Sequence, residues 1–147
     1  MARYQATIET AQPAEEVFAY LANFANAREW DPSVVDGQIL TPGEPALGSR
    51  YEITAKFAGN SNVLEYEITD FEAPRRVVLR GENAGVVSID TIIVARAGDV
   101  TRVSYDADLQ FKGAYRALDP IFKLVFQRIG DKAKAGMQAR LDAGDFE

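Results

Sequence analysis

An α+β chain, with one long helix laid against an antiparallel sheet, is predicted by three features of the sequence. They are an amphipathic stretch from Ala114 to Ala143, a succession of strand-like runs joined by short turns before it, and a first strand followed by two short helices. In the last stretch, Tyr115, Leu118, Ile121, Phe122, Val125, Phe126, Ile129, Ala133, Gly136 and Met137 fall within an arc of about 160°, with Arg116, Lys123, Asp131 and Lys134 outside it. One face of this helix must therefore be buried. A continuous helix would be about 45 Å long, too long for either short upstream helix to cover, so its partner is a sheet. Pro120 suits a first helical position with Asp119 as its cap, and either the helix starts there or a short first turn is kinked onto it. The stripe is bulky from Leu118 to Ile129 and small at Ala133 and Gly136. This predicts close packing of the C-terminal half and a wider space beneath the N-terminal half, which a tapered core and a cavity explain equally.

The other elements follow from periodicity. Arg3 to Thr10 alternates, with Tyr4, Ala6 and Ile8 on one face. Pro13 opens a helix whose stripe is Val17, Phe18 and Leu21, with Glu15 and Glu16 at its positive end. A second short helix from Phe24 to Glu29 stops at Trp30-Asp31-Pro32, because the residue before a proline is disfavoured in helical geometry. Val34 to Leu40 is a candidate strand. Ser49–Phe57, Ser61–Phe71, Arg75–Glu82, Val86–Arg96 and Thr101–Phe111 then follow with connections short enough to require antiparallel pairing, giving six to seven strands. A two-residue turn at Gly59-Asn60 would pair Ala55 with Leu64, Ile53 with Tyr66 and Tyr51 with Ile68, sorting apolar from polar faces. Thr101 to Phe111 sorts as well, with Val103, Tyr105, Ala107, Leu109 and Phe111 inward. Val86 to Arg96 does not, because both alternate sets are largely apolar, so Asp90 is left either inside or outside.

The chain has the length of one domain, 1–147, and no linker, repeat or low-complexity segment. No apolar run reaches the roughly 18 residues of a membrane span, so no stable membrane insertion is expected. The opening MARYQATIET lacks an apolar signal core, and the expected location is cytoplasmic. A net charge of −6 argues against a nucleic-acid partner. The charge is uneven: residues 1–113 carry 10 basic and 17 acidic groups, and 114–143 carry 6 and 3, a bias read here as a solvated helix face. With no Cys and no His, thiol and imidazole chemistry and Cys or His zinc sites are excluded, and no cofactor or metal is expected. No feature sets an oligomeric state.

The order of elements and the local wording resemble one superfamily. Pro13-Ala14-Glu15-Glu16-Val17-Phe18 with Leu21 matches its opening helix, and Trp30-Asp31-Pro32 its second. Thr101-Arg102-Val103-Ser104-Tyr105 matches its last strand, and Gly113 followed by Leu118-Asp119-Pro120 the approach to its final helix. The chain resembles the START-like superfamily, also called Bet v 1-like or SRPBCC, in its polyketide cyclase/dehydrase-type members. That resemblance implies a helix-grip fold, in which a curved antiparallel sheet wraps around the C-terminal helix and encloses an elongated, mostly apolar cavity. It implies a lining of Tyr51, Phe57, Tyr66, Tyr105 and Phe111 from strands and Leu118, Phe122, Val125, Phe126 and Ile129 from the helix.

Phosphate-loop and nucleophile-elbow patterns are absent. The pairs Glu65/Glu67 and Asp106/Asp108 each share a strand face, but the face that belongs to solvent, as does Arg80. Inward Tyr51, Tyr66 and Tyr105 need partners for their hydroxyls, supplied by a ligand in a cavity or by backbone in a solid core. The leading reading is binding of one hydrophobic or polyaromatic small molecule. The alternatives are a cofactor-independent cyclase or dehydrase in which Asp90, Tyr66 or Tyr105 moves a proton, and an interaction module without a ligand. The enzyme needs an inward acid with a shifted pKa, and Asp90 is the acid that can supply it. The interaction module needs an exposed apolar patch, which the charged outer faces of the well-sorted strands do not offer.

Overall fold

A computed structural model describes residues 2–57 and 60–144. Seven strands form one antiparallel sheet: β1 (Ala2–Thr10), β2 (Val34–Ile39), β3 (Arg50–Phe57), β4 (Asn60–Glu72), β5 (Arg76–Glu82), β6 (Val86–Ala97) and β7 (Val100–Phe111). Their spatial order is β1-β7-β6-β5-β4-β3-β2, so β1 crosses from one edge and the rest form a meander. Between β1 and β2 lie α1 (Ala14–Ala22), a 3-10 turn (Phe24–Asn26) and α2 (Ala27–Trp30). A second 3-10 segment (Gly113–Leu118) leads into α3 (Asp119–Ala143). The sheet is curved around α3, and bulges between Val34 and Asp36 and between Ile68 and Asp70 add local twist. Among the described residues, no helix is long and apolar enough to cross a membrane.

The alternation places the expected residues inside. Tyr4 and Ile8 of β1, Tyr51, Ile53 and Ala55 of β3, Leu64, Tyr66 and Ile68 of β4, and Val103, Tyr105, Ala107 and Leu109 of β7 are buried. In β6 the buried set is Val86, Ser88, Asp90, Ile92 and Val94, so Asp90 faces inward. Its opposite face, including Val87 and Ile89, is half-buried.

Four local expectations are corrected. The β3–β4 ladder pairs Tyr51 with Tyr66, Ile53 with Leu64 and Ala55 with Asn62, two residues from the expected register. A shift of two preserves which residues face inward, so face sorting could not detect it. The predicted turn at Gly59-Asn60 falls partly outside the described residues. The helix expected over Phe24 to Glu29 is divided into the 3-10 turn and α2. Asp119 is already helical, the capping position being Leu118, with Pro120 in the first turn.

The fourth correction concerns the helix stripe. Phe126, Ala133 and Met137 are buried as expected, joined by Gly130 and Leu141, whereas Tyr115, Leu118, Ile121 and Val125 are exposed. Residues 113–118 wind as a 3-10 helix, which takes Tyr115 and Leu118 off the 3.6-residue wheel. The C-terminal half of α3 packs closely because glycines face its neighbours. A methyl at Gly136 would collide with the carbonyl oxygen of Trp30 in α2, and one at Gly130 with the Tyr4 ring of β1.

Candidate functional site

The centre of the concave sheet face carries a polar group inside an apolar shell. Ser88 and Asp90, two apart on β6, point to the same side. Ser88 Oγ donates to Asp90 Oδ1 at 2.8 Å, and the Tyr105 hydroxyl, from β7, donates to Asp90 Oδ2 at 2.8 Å. Tyr66 reaches the group from two strands away because Gly81, its partner on β5, has no side chain: a Cβ there would lie 2.5 Å from the Tyr66 ring. The Tyr66 hydroxyl lies beside Ser88, and its pKa is raised well above the usual range, first by burial and then by the charge of Asp90. The Tyr105 hydroxyl is pushed the same way by the same two causes. Both tyrosines therefore remain hydrogen donors across the physiological range.

Asp90 is 3% exposed. Its pKa is raised to about 6, first by burial and in smaller part by the charges of Asp31 and Asp106, against the lowering effect of the Tyr105 and Ser88 hydrogen bonds. Asp31, just after α2, is itself raised by burial although Ser33 bonds to it through both N and Oγ, at 2.9 and 2.8 Å. A carboxyl poised near neutrality between two hydroxyl donors can exchange a proton with a bound molecule, and the Tyr66 hydroxyl can bond to a carbonyl or phenol oxygen.

Rings from the insert between β1 and β2 lie on this group. Phe24 packs on Tyr66 at 4.8 Å between centroids, and Trp30 stands edge-on to Tyr105 at 5.7 Å. The Trp30 indole N–H is buried and has no hydrogen-bond partner among the described residues. The space expected between sheet and helix is thus occupied at its centre by four aromatic rings, and a ligand reaching Asp90 displaces some of them. Toward the N-terminal half of α3 the packing opens. Phe111 is half-buried against Phe122, which stacks on to Phe126, at 5.3 and 5.4 Å.

Of the residues expected to line a cavity, Tyr66 and Tyr105 come together around Asp90. Tyr51 is buried in the same cross-sheet row as Tyr66, its pKa raised by burial and lowered in part by Ser49. Phe111, Phe122 and Phe126 form the ladder under α3, Ile129 is half-buried, and Leu118 and Val125 face solvent. The side chain of Phe57 lies outside the described residues. Sequence reasoning passed over Ser88, Asp31, Phe24 and Trp30. Ser88 was signalled by its two-residue spacing from Asp90, whereas the insert aromatics carried no periodicity that aims them at a site.

The acidic pairs lie where the alternation puts them. Glu65 and Glu67 pair with Arg50 at 3.5 and 3.4 Å, and Asp106 with Arg3 at 2.6 Å, all on the outer face. Arg80 is exposed and paired with Glu82 at 2.7 Å. Among the described residues no cluster of three acidic groups is arranged to hold a metal ion.

The fold is shared with solved structures. A START superfamily protein from Mycobacterium smegmatis is 17% identical, with a TM-score of 0.78 over 97% of this chain and 99% of that one. The ZhuI aromatase/cyclase from a Streptomyces species is 14% identical, with a TM-score of 0.74 over 97% and 92%. A protein from Thermus thermophilus is 14% identical, with a TM-score of 0.76 over 97% and 99%. No curated protein matches the chain. Residues 1–143 match the family described as polyketide cyclase / dehydrase and lipid transport. The helix laid in a curved antiparallel sheet and this match over nearly the whole chain establish that the protein belongs to that family, with a START-like fold.

Proposed function

We propose that the protein binds one hydrophobic or polyaromatic small molecule, lipid- or polyketide-like, between the sheet and α3. The observation that carries this reading is the Tyr66–Ser88–Asp90–Tyr105 group, set in an otherwise apolar concave face where a solid core would place apolar side chains. The ligand's apolar body packs against Phe111, Phe122 and Phe126, and its polar end meets Tyr66 and the Trp30 indole N–H. Family membership supports a ligand-binding or cyclase role of this kind. Native mass spectrometry of the purified protein, with titration of an apolar fluorescent probe, is the test. One copurified ligand or one probe per chain is expected, displaced by polyaromatic compounds. A folded protein that carries no ligand and binds no probe overturns the proposal.

The position of Asp90 favours a second reading, a cyclase or dehydrase. Ionised Asp90 takes a proton from a carbon next to a carbonyl whose oxygen bonds to Tyr66. The resulting carbanion forms a carbon–carbon bond to a second carbonyl of the same chain, whose oxygen takes the proton back from Asp90 to become a hydroxyl. Asp90 then takes the remaining proton of the attacking carbon and returns it to that hydroxyl, which leaves as water as the carbon–carbon double bond forms. Asp90→Asn then abolishes turnover of a poly-β-carbonyl substrate and leaves its binding within a few fold. An Asp90→Asn variant as active as the wild type ends this reading but not the binding one.

A further inference from the structure

The first half of α3 is apolar on both sides. Phe122 and Phe126 meet the Phe111 side of the molecule, while Ile121, Leu124 and Val125, preceded by Leu118, are exposed, Leu124 at 81% and Ile121 at 64%. At 100° per residue Leu124 stands about 160° round the helix from buried Phe126, so no rotation of α3 on the sheet covers both. A single exposed leucine is ordinary, but four large apolar side chains on adjoining turns form a patch that a partner covers.

Charge identifies the partner. Residues 112–134 carry six basic groups, Lys112, Arg116, Lys123, Arg128, Lys132 and Lys134, and two acidic ones, Asp119 and Asp131, whereas residues 1–111 carry 9 basic and 17 acidic. Lys112 is paired with Glu82, and Lys123 lies 3.7 Å from Asp119. Among the described residues Arg116, Arg128, Lys132 and Lys134 make no ion pair. Arg128 and Lys132 follow Leu124 and Ile121 along the same side of the helix, one and about three turns on. A second copy would set this positive rim against itself. The apolar ridge stands out on a single helix instead of lining a groove, a shape that matches the plane of a bilayer. Its leucine and isoleucine would enter the boundary of headgroups and acyl chains, while the arginine and lysine stay among anionic headgroups.

We propose that the outer face of α3 from Leu118 to Lys132 docks the protein, peripherally and reversibly, on a membrane surface rich in anionic lipid. This docking does not depend on what the interior binds. The test is sedimentation of the whole protein with vesicles of phosphatidylcholine alone or mixed with phosphatidylglycerol. It is expected to partition onto the mixed vesicles and not the neutral ones, and to release as salt rises from about 0.1 to 1 M. The double variant Ile121→Asn, Leu124→Asn is expected to lower partitioning by about tenfold or more. Arg128→Gln and Lys132→Gln are expected to lower it by about fivefold each. All four positions are exposed, so unchanged urea midpoints separate these losses from misfolding. Failure to bind mixed vesicles, equal binding to neutral ones, or binding that all three variants retain overturns the proposal. So does a dimer in sedimentation equilibrium, or capture by an acidic protein surface, that Ile121→Asn, Leu124→Asn abolishes while vesicle binding is absent.

Discussion

Burial of Asp90 fixes the sign of its effect on stability. Its folded pKa of about 6 lies above the ordinary 3.8, so between those values the folded chain holds a proton that the unfolded chain has released. Stability from this group is complete below about pH 3.8 and is lost as pH rises through about 6. The full difference is on the order of 3 kcal/mol, of which roughly half falls between pH 5 and pH 7.5. Urea midpoints of the wild type are therefore expected to fall over that interval, and those of Asp90→Asn to fall much less. Asp31, shifted in the same direction, leaves a residual slope. Glu82, held at about 2 by Lys112 and Arg80, acts with the opposite sign and only below its ordinary 4.5. Parallel pH profiles for the two proteins would show that Asp90 is not titrating in its buried setting. Gly81 offers a second test at this scale. A Cβ there meets the Tyr66 ring at 2.5 Å, so Gly81→Ala is expected to destabilise by about 1 to 3 kcal/mol through overpacking and to weaken probe binding by moving the Tyr66 hydroxyl. An alanine variant with unchanged stability and affinity would mean that Tyr66 has room to lie elsewhere.

The elements differ in how tightly they are held, and Phe18 and Phe122 sample the two extremes. Phe18 in α1 is buried and packs on Phe71 at 5.6 Å between centroids, whereas Phe122 is half-buried between Phe111 and Phe126. Phe18→Ala should cost about 3 to 5 kcal/mol in denaturant unfolding, since a void replaces a filled site. Phe122→Ala should cost roughly 1 to 2 kcal/mol and change which ligand lengths bind. Equal costs with probe binding untouched would mean that the space beneath α3 is filled. Which elements were legible follows from the same physics. Alternation identified the inner faces of β1, β3 and β7 because each has one polar side. It could not fix the β3–β4 register, since a shift of two leaves every face unchanged. Nor could it orient β6, whose outer side is half-buried at Val87 and Ile89. The 3.6-residue wheel read the C-terminal half of α3 correctly and misjudged the N-terminal half: Tyr115 and Leu118 precede the α-helix in 3-10 geometry, and Ile121 and Val125 lie within it but are exposed. Tyr66 and Tyr105 were visible as inward tyrosines. That they converge with Ser88 on Asp90 depends on the pairing of four strands, which no single stretch records.

At the scale of the molecule, α3 joins two regimes of stability. Beyond Gly130 it is fixed by close approach to Tyr4 of β1 and Trp30 of α2, and Ala133, Met137 and Leu141 are buried. Before Gly130 its contacts among the described residues include the Phe111–Phe122–Phe126 ladder and the Tyr115 ring over Gly85, with Ile121 and Leu124 exposed. Lifting the first half exposes the three-ring ladder but leaves the packing beyond Gly130 intact, so it should open locally at a free energy below that of global unfolding. Native-state hydrogen exchange tests this directly. Amides of residues 122–127 are expected to exchange about 10 to 100 times faster than those of 133–141, with the fast set insensitive to denaturant and the slow set following global unfolding. An apolar ligand held beneath the first half should slow the exchange of that half. At a hundred times its Kd it stabilises the occupied form by about 2.7 kcal/mol, and any opening that requires its release slows in proportion. The first half would then be slowed by up to about 100-fold at that concentration. If both halves exchange together without ligand, α3 is one cooperative unit and the route to Asp90 must run past Phe24 and Trp30 instead.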